Sequence, residues 1–242
     1  MPSLPIQTNG DNYEPMELDV VETEERNELP VLDEVNLDLE AYISHYHGLP
    51  RIHRLEFIAD HCRSLRIEAL TQALNYIKEN TCDVKDYTRL FKKLHDVLEE
   101  THGNQAIAGN SAGHQLDTVW IDTKTKLAAL KLDRLDNELK NFRANSMKEN
   151  IRRAQDDLGD HYLDCGDLEN AFNAYTKSRD FHSNHRNHIN QCLNIIRVST
   201  MLRRWSAVST QVLRAESQPS TETHPNVTTK LHCAAGLYEL NS

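Results

Sequence analysis

Thirteen histidines and five cysteines are the residues that could carry chemistry in this 242-residue chain. His45-Tyr46-His47 has the H-x-H spacing of the JAMM metalloproteases. Those sites continue with a proline after the second histidine, then serine and aspartate at fixed distances. Here Gly48 follows His47, Ile58 stands where the aspartate belongs, and Asp60 is out of register. The pair therefore reads as partly exposed histidines at a helix end. His182, His185 and His188 recur every three residues, a spacing that can align imidazoles along one helix side. A zinc site needs three or four convergent ligands held by a second shell. These three flank an inter-helix turn expected near Ser183, so a solvated turn is the better reading. Cys62, Cys82, Cys165, Cys192 and Cys233 are odd in number and scattered, with no C-x-x-C. They fit reduced, mostly packed thiols rather than a disulfide framework or zinc ribbon. With no glycine-rich phosphate loop, no G-x-S-x-G elbow and no Cys-His signature, the sequence points to no catalytic residue, metal or cofactor.

Composition narrows the class further. The chain is 38% hydrophobic and 26% charged with a net charge of -10, and its mean hydropathy is -0.65. Glycine (8) and proline (7) are scarce and aromatics are 6%, which disfavours a turn-rich β architecture. No apolar run nears the roughly 20 residues of a membrane span, and the first residues lack a signal pattern. Secretion and membrane insertion are not expected, and Asn226-Val227-Thr228 is a chance sequon. Residues 1–36 hold ten acids against Arg26 alone, and four of the seven prolines. That composition predicts a disordered acidic tail. The remainder is nearly neutral, so direct nucleic-acid binding lacks the basic surplus it needs.

The elements that would position any functional group are helices almost throughout. A short helix is expected from Asp38 to about His47, ended by Gly48-Leu49-Pro50. Ile52, Leu55, Ile58 and Cys62 form one stripe. Ile67, Leu70, Leu74 and Ile77 form the next, behind Ser64 as N-cap. Val84, Tyr87, Phe91, Leu94 and Leu98 follow behind Asp83. These make an N-terminal helical segment, residues 37–101. Residues 102–115, with three glycines, read as a flexible loop. A long helix should then run from Leu116 to Arg143, with Leu127, Leu130, Leu135, Leu139 and Phe142 on its buried side. Ser146 and Glu149 have the spacing of a capping box that starts a fresh helix.

Residues 116–242 carry the most informative pattern. Leu158-Gly159-x-x-Tyr162 followed by Ala171-x-x-x-Tyr175 matches the tetratricopeptide signature, with Tyr175 in place of phenylalanine. Gly159 and Ala171 would let two antiparallel helices approach, with Tyr162 and Tyr175 filling the space beside them. Gly166 would end the first helix and Asp167 cap the second. Gln155 stands where tryptophan is expected and Ser183 where proline is. A looser copy follows in Ile189, Leu193 and Ile196, then Trp205, Val208 and Val212. Part of a third appears near Leu231, Ala235, Gly236, Leu237 and Leu240. Leu231, Leu237 and Leu240 are read as a possible interaction edge. Some such domains clamp a chaperone's terminal carboxylate through asparagine after the repeat glycine, but Asp160 here would repel it. Lys124, Lys126, Lys131 and Arg134, with Arg152 and Arg153, read as a solvated helix face that could alternatively meet an acidic partner.

The run SMKENIRRAQDDLGDHYLDCGDLENAFNAYTKSRDF, with KLDRLDNELKNF before it and KLHCAAGLYEL after it, resembles the first-subunit family of the COP-nine (constitutive photomorphogenesis) signalosome. EPMELDV and DLEAYISHYHGLPRIHRLEFIADHC are similar to that family's N-terminal region. A more distant resemblance is to the related helical-repeat subunit of the proteasome lid. The resemblance implies an all-α, tetratricopeptide-like right-handed solenoid, here truncated before the family's C-terminal PCI domain. It also implies a noncatalytic scaffold, in the cytoplasm and nucleus, of a complex that removes the ubiquitin-like modifier from cullin ubiquitin ligases. Its partners would be other signalosome subunits and cullin-RING ligases. The runner-up is an adaptor for another assembly such as the proteasome lid.

Overall fold

The computed structural model describes residues 31–32, 35–102, 115–181, 184–217 and 225–241. Among the described residues ten α-helices follow in chain order: α1 (Leu39–Ile43), α2 (Leu49–His61), α3 (Arg66–Asn80), α4 (Val84–His102), α5 (Thr118–Ala144), α6 (Lys148–Asp164), α7 (Leu168–Lys177), α8 (His185–Met201), α9 (Trp205–Glu216) and α10 (Pro225–Glu239). A 3-10 turn, Ser178–Phe181, extends α7. Among the described residues there is no strand, only a single parallel bridge between Leu32 and Cys62. Each helix packs chiefly on its neighbours in the chain, the arrangement of an all-α helical solenoid. Most of the acidic segment 1–36 and of the loop 102–115 lies outside the described residues. Within the former, Leu32 donates its amide to the His61 carbonyl (2.8 Å) and accepts from the Arg63 amide (3.0 Å).

Helix starts follow from short polar side chains that satisfy free amides. Asp38, Asp83, Asp117, Asp167 and Asn184 each accept from the amide three residues on. Two expected caps do not form. Ser64 lies before a helix that begins at Arg66, whose amide already reaches the Arg63 carbonyl. Ser146 makes no capping box, because it sits in the left-handed region (φ 52°) as the end of α5. Its amide bonds Arg143 O and the Met147 amide bonds Phe142 O, a Schellman closure. Met147 then becomes the N-cap residue of α6 without a side-chain bond, while the Glu149 carboxylate pairs with Arg152.

The same closure recurs at Gly166 (φ 73°) after α6 and at Arg203 (φ 55°) after α8. There Asp167 and Arg204 bond back to Tyr162 O and Ser199 O, and each is also the N-cap residue of the next helix. Reversing the chain within a few residues forces consecutive helices to pack side by side.

The core runs across these reversals. α1–α4 bury Ile43, Ile52, Leu55, Leu70, Ile77 and Leu90, and the same cluster continues into Leu163, Ala171, Tyr175, Ile195 and Val198 of α6–α8. Leu135 and Leu139 of α5 join Ile151, Ala154 and Leu158 of α6. A third cluster joins Cys192 and Ile196 of α8, Val208 and Val212 of α9, and Leu231 and Ala234 of α10. Full burial of each large side chain contributes about 1.5–3 kcal/mol.

The long helix departs from expectation. Leu135 and Leu139 are buried, but Leu127 and Leu130 are 55% and 66% exposed. Leu130 and Leu139 are nine residues apart, about 180° around a helix, so they cannot share a face. The shorter α6 covers one side of α5, and the other two leucines lie off it.

Candidate interaction surface

The histidines disperse. His45 and His47 are exposed, and His45 Nδ1 lies 3.3 Å from the Tyr42 carbonyl. Ile58 is core, and Asp60 is held by Lys93 at 2.7 Å. His182 lies outside the described residues, His185 opens α8, and His188 lies against Cys192 Sγ (3.8 Å) and the Arg214 guanidinium (3.3 Å). Among the described residues no three His, Cys, Asp or Glu side chains converge as a metal site would require. His161 is buried in α6, and that burial lowers its pKa from the ordinary value, aided by the nearby Lys131 charge.

The repeat signature residues meet between α6 and α7. Leu158 and Ala171 are buried. Gly159 lies so close to the Tyr175 ring that a Cβ there would stand 2.4 Å from its Cε1. The Tyr175 hydroxyl donates to Asp160 Oδ1 at 2.6 Å. Burial, then this carboxylate, push the phenol pKa far above its usual value. Gln191 Nε2 of α8 donates to the Tyr175 carbonyl at 2.7 Å, tying the pair to the next helix. Tyr162 is half-buried, and Gln155, at the expected tryptophan position, is fully enclosed. Asp160 is thus occupied by its tyrosine. The five residues form a packing joint rather than a ligand pocket.

A second joint escaped the sequence reading. The Asp83 carboxyl, which caps α4, lies over Gly166, where a Cβ would meet Asp83 Oδ2 at 1.9 Å. Burial raises the pKa of Asp83. Beside it, Cys82 N donates to Asp164 O at 2.9 Å. Only folding brings these turns together, since more than eighty residues separate them in the chain. A charge network also joins α2 to α4. Arg89 makes a two-pronged bond to Glu56, and Lys93 bridges Glu56 (3.1 Å) and Asp60 (2.7 Å). Hydrogen bonding from Arg89 holds the Glu56 pKa down at about 2.

What remains for partners is the outside of the solenoid. Of the expected edge on and just beyond α10, Leu231 is buried against α9, whereas Leu237 and Leu240 are 44% and 83% exposed. Among the basic residues, the Arg152 side chain is enclosed between Glu149 and Asp156, which removes it from a docking face. Arg153 stays exposed with a 3.6 Å contact to Glu149. Lys124 lies over the Trp120 ring at 5.8 Å, and Lys126 is exposed. Lys131 and Arg134 make long pairs with Asp164 and Glu138, each 3.6 Å. No described helix is long and apolar enough to cross a membrane.

Residues 117–242 match the family model described as 26S proteasome subunit RPN7, a match that begins at the cap residue of α5. The COP9 signalosome complex subunit 1b of Drosophila melanogaster is 37% identical over 99% of this chain and 55% of its own length. Subunit 1 of Arabidopsis thaliana is 35% identical over 90% of this chain and 47% of its own. Subunit 1 of Emericella nidulans is 32% identical over 85% and 39%. The chain spans about half the length of the curated relatives it matches. On these grounds the chain belongs to the family described as 26S proteasome subunit RPN7, and its curated relatives are subunit 1 proteins of the COP9 signalosome.

Proposed function

We propose that this chain is a noncatalytic scaffold of the signalosome, the complex that removes the ubiquitin-like modifier from cullin ubiquitin ligases. The observation that carries the reading is similarity over 99% of the chain to a signalosome subunit 1. A solenoid of helices whose conspicuous side-chain clusters are packing joints supports the scaffold role: it presents surface, and reaction chemistry belongs to another subunit. Its partners are other signalosome subunits and, through them, cullin-RING ligases, in the cytoplasm and nucleus. No nucleic acid and no membrane enters the reading.

The RPN7 description of the matching family favours one second reading, an adaptor in another assembly such as the proteasome lid. Affinity purification of the tagged chain with mass spectrometry separates the two, because the two subunit sets are disjoint. Recovery of signalosome subunits, with cullin deneddylation in the eluate that falls when the chain is depleted, is the expected result. Recovery of lid subunits favours the adaptor, and recovery of neither set overturns both.

A further inference from the structure

Helix α5 has two apolar faces. Leu135 and Leu139 occupy one and pack on α6. Leu127 and Leu130 occupy another, with Val119 two turns earlier at 75% exposure. An exposed leucine pair does not by itself define an occupant, but its frame does. Helical neighbours lie three and four residues away. For Leu127 these include Lys124 and Lys131, and for Leu130 they include Lys126 and Arg134, with Asp133 the one acid among them. The existing contacts of Lys131 and Arg134, at 3.6 Å to exposed carboxylates, are weak and exchangeable. Four cations thus surround two unburied leucines on a rigid helix.

The charge decides between occupants. A second copy would set the same cations against themselves, a like-charge juxtaposition that penalises self-pairing. Nucleic acid would use the cations and leave the leucines wet. A helix with leucines flanked by glutamates or aspartates satisfies both features. We propose that this outer face of α5, Leu127 and Leu130 framed by Lys124, Lys126, Lys131 and Arg134, docks an acidic amphipathic helix of a partner protein. The mode is an apolar seam for affinity and charged flanks for orientation and on-rate. The proposal holds whichever assembly the chain enters.

The test uses the full chain and a fluorescein-labelled helical peptide whose leucines recur every three and four residues between glutamates. Three controls accompany it: a lysine-for-glutamate twin, a glutamate peptide without leucines, and a DNA oligonucleotide. Anisotropy should show the leucine–glutamate peptide binding best, with affinity falling as salt rises. Leu127→Ser with Leu130→Ser should weaken it at least about tenfold. Lys126→Glu with Arg134→Glu should move the preference toward the lysine twin. Both variants change exposed side chains, and circular dichroism checks that helicity is kept. Hydrogen exchange should register protection over residues 118–134 when the peptide is added. Equal binding of the leucine-free peptide or of DNA, or indifference to both variants, overturns the proposal. So does a dimer in sedimentation that the serine variant abolishes, since the occupant would then be a second copy.

Discussion

At the scale of single residues, the fold turns on a few backbone positions where a side chain either cannot fit or should not be present. Gly159 and Gly166 are of the first kind, one pressed on Tyr175 and the other under Asp83. Gly159→Ala should lower stability by about 1–3 kcal/mol, as overpacking does, and Gly159→Leu by more. Thermal melts check this, and a parental melting temperature would mean that the helices are not in close contact there. Ser146 and Arg203 are of the second kind, holding left-handed conformations where glycine is at ease. Relief of roughly 1–2 kcal/mol of strain, less about 0.4–1 for the looser unfolded chain, leaves a small net gain. Ser146→Gly and Arg203→Gly should therefore each raise the melting midpoint, and a fall in both would show that these side chains contribute more than the strain costs.

Between elements, the Glu56–Arg89–Lys93 network ties α2 to α4 and gives the fold a pH-sensitive tie. The folded Glu56 pKa is about 2, below the ordinary value of 4.5. A depressed carboxylate pKa adds stability that is fully present above the unfolded value and is lost as pH falls toward the folded one. Arg89 is about half exposed, so solvent screening reduces the contribution to about 1–2 kcal/mol. Glu56→Gln should thus be less stable than the parent at pH 7, with the gap closing between pH 5 and 2. Urea melts across that range decide it, and a gap independent of pH would remove the ion pair from the explanation. The basic frame of α5 belongs to this scale too, since four cations from one helix build it around two leucines.

For the whole molecule, the continuity of the core matters most. Leu163, Ala171, Tyr175, Ile195 and Val198 share a cluster with α1–α4, and Trp120 Nε1 donates to the Lys78 carbonyl across the same boundary (3.3 Å). A solenoid held only by nearest neighbours can unfold piecemeal, but this cross-packing should couple its ends. Unfolding followed by tryptophan fluorescence and by far-ultraviolet circular dichroism should therefore coincide in one transition. Removing residues 31–102 should strip hydrogen-exchange protection from α6 and α8. Separate transitions, or unchanged protection after that deletion, would mean that the blocks fold independently.

Local pattern alone determined most of the helices, because apolar spacing of three and four and a polar cap are properties of neighbouring residues. Asp83 and Asp167 announce their helices, and Gly159 with Tyr175 announces a close pair within eighteen residues of chain. Ser64 and Ser146 failed as caps because the preceding chain ended in a turn that already supplied the acceptors. Apolar character places Leu127 and Leu130 in the core, but the sequence does not say which side of a 27-residue helix a shorter neighbour will cover. Only tertiary structure decided that, along with the Asp83–Gly166 joint, the enclosure of Arg152 and the burial of Leu231 beside an exposed Leu237. Each depends on which distant surface arrives against a helix, and that is set by the packing of the whole chain.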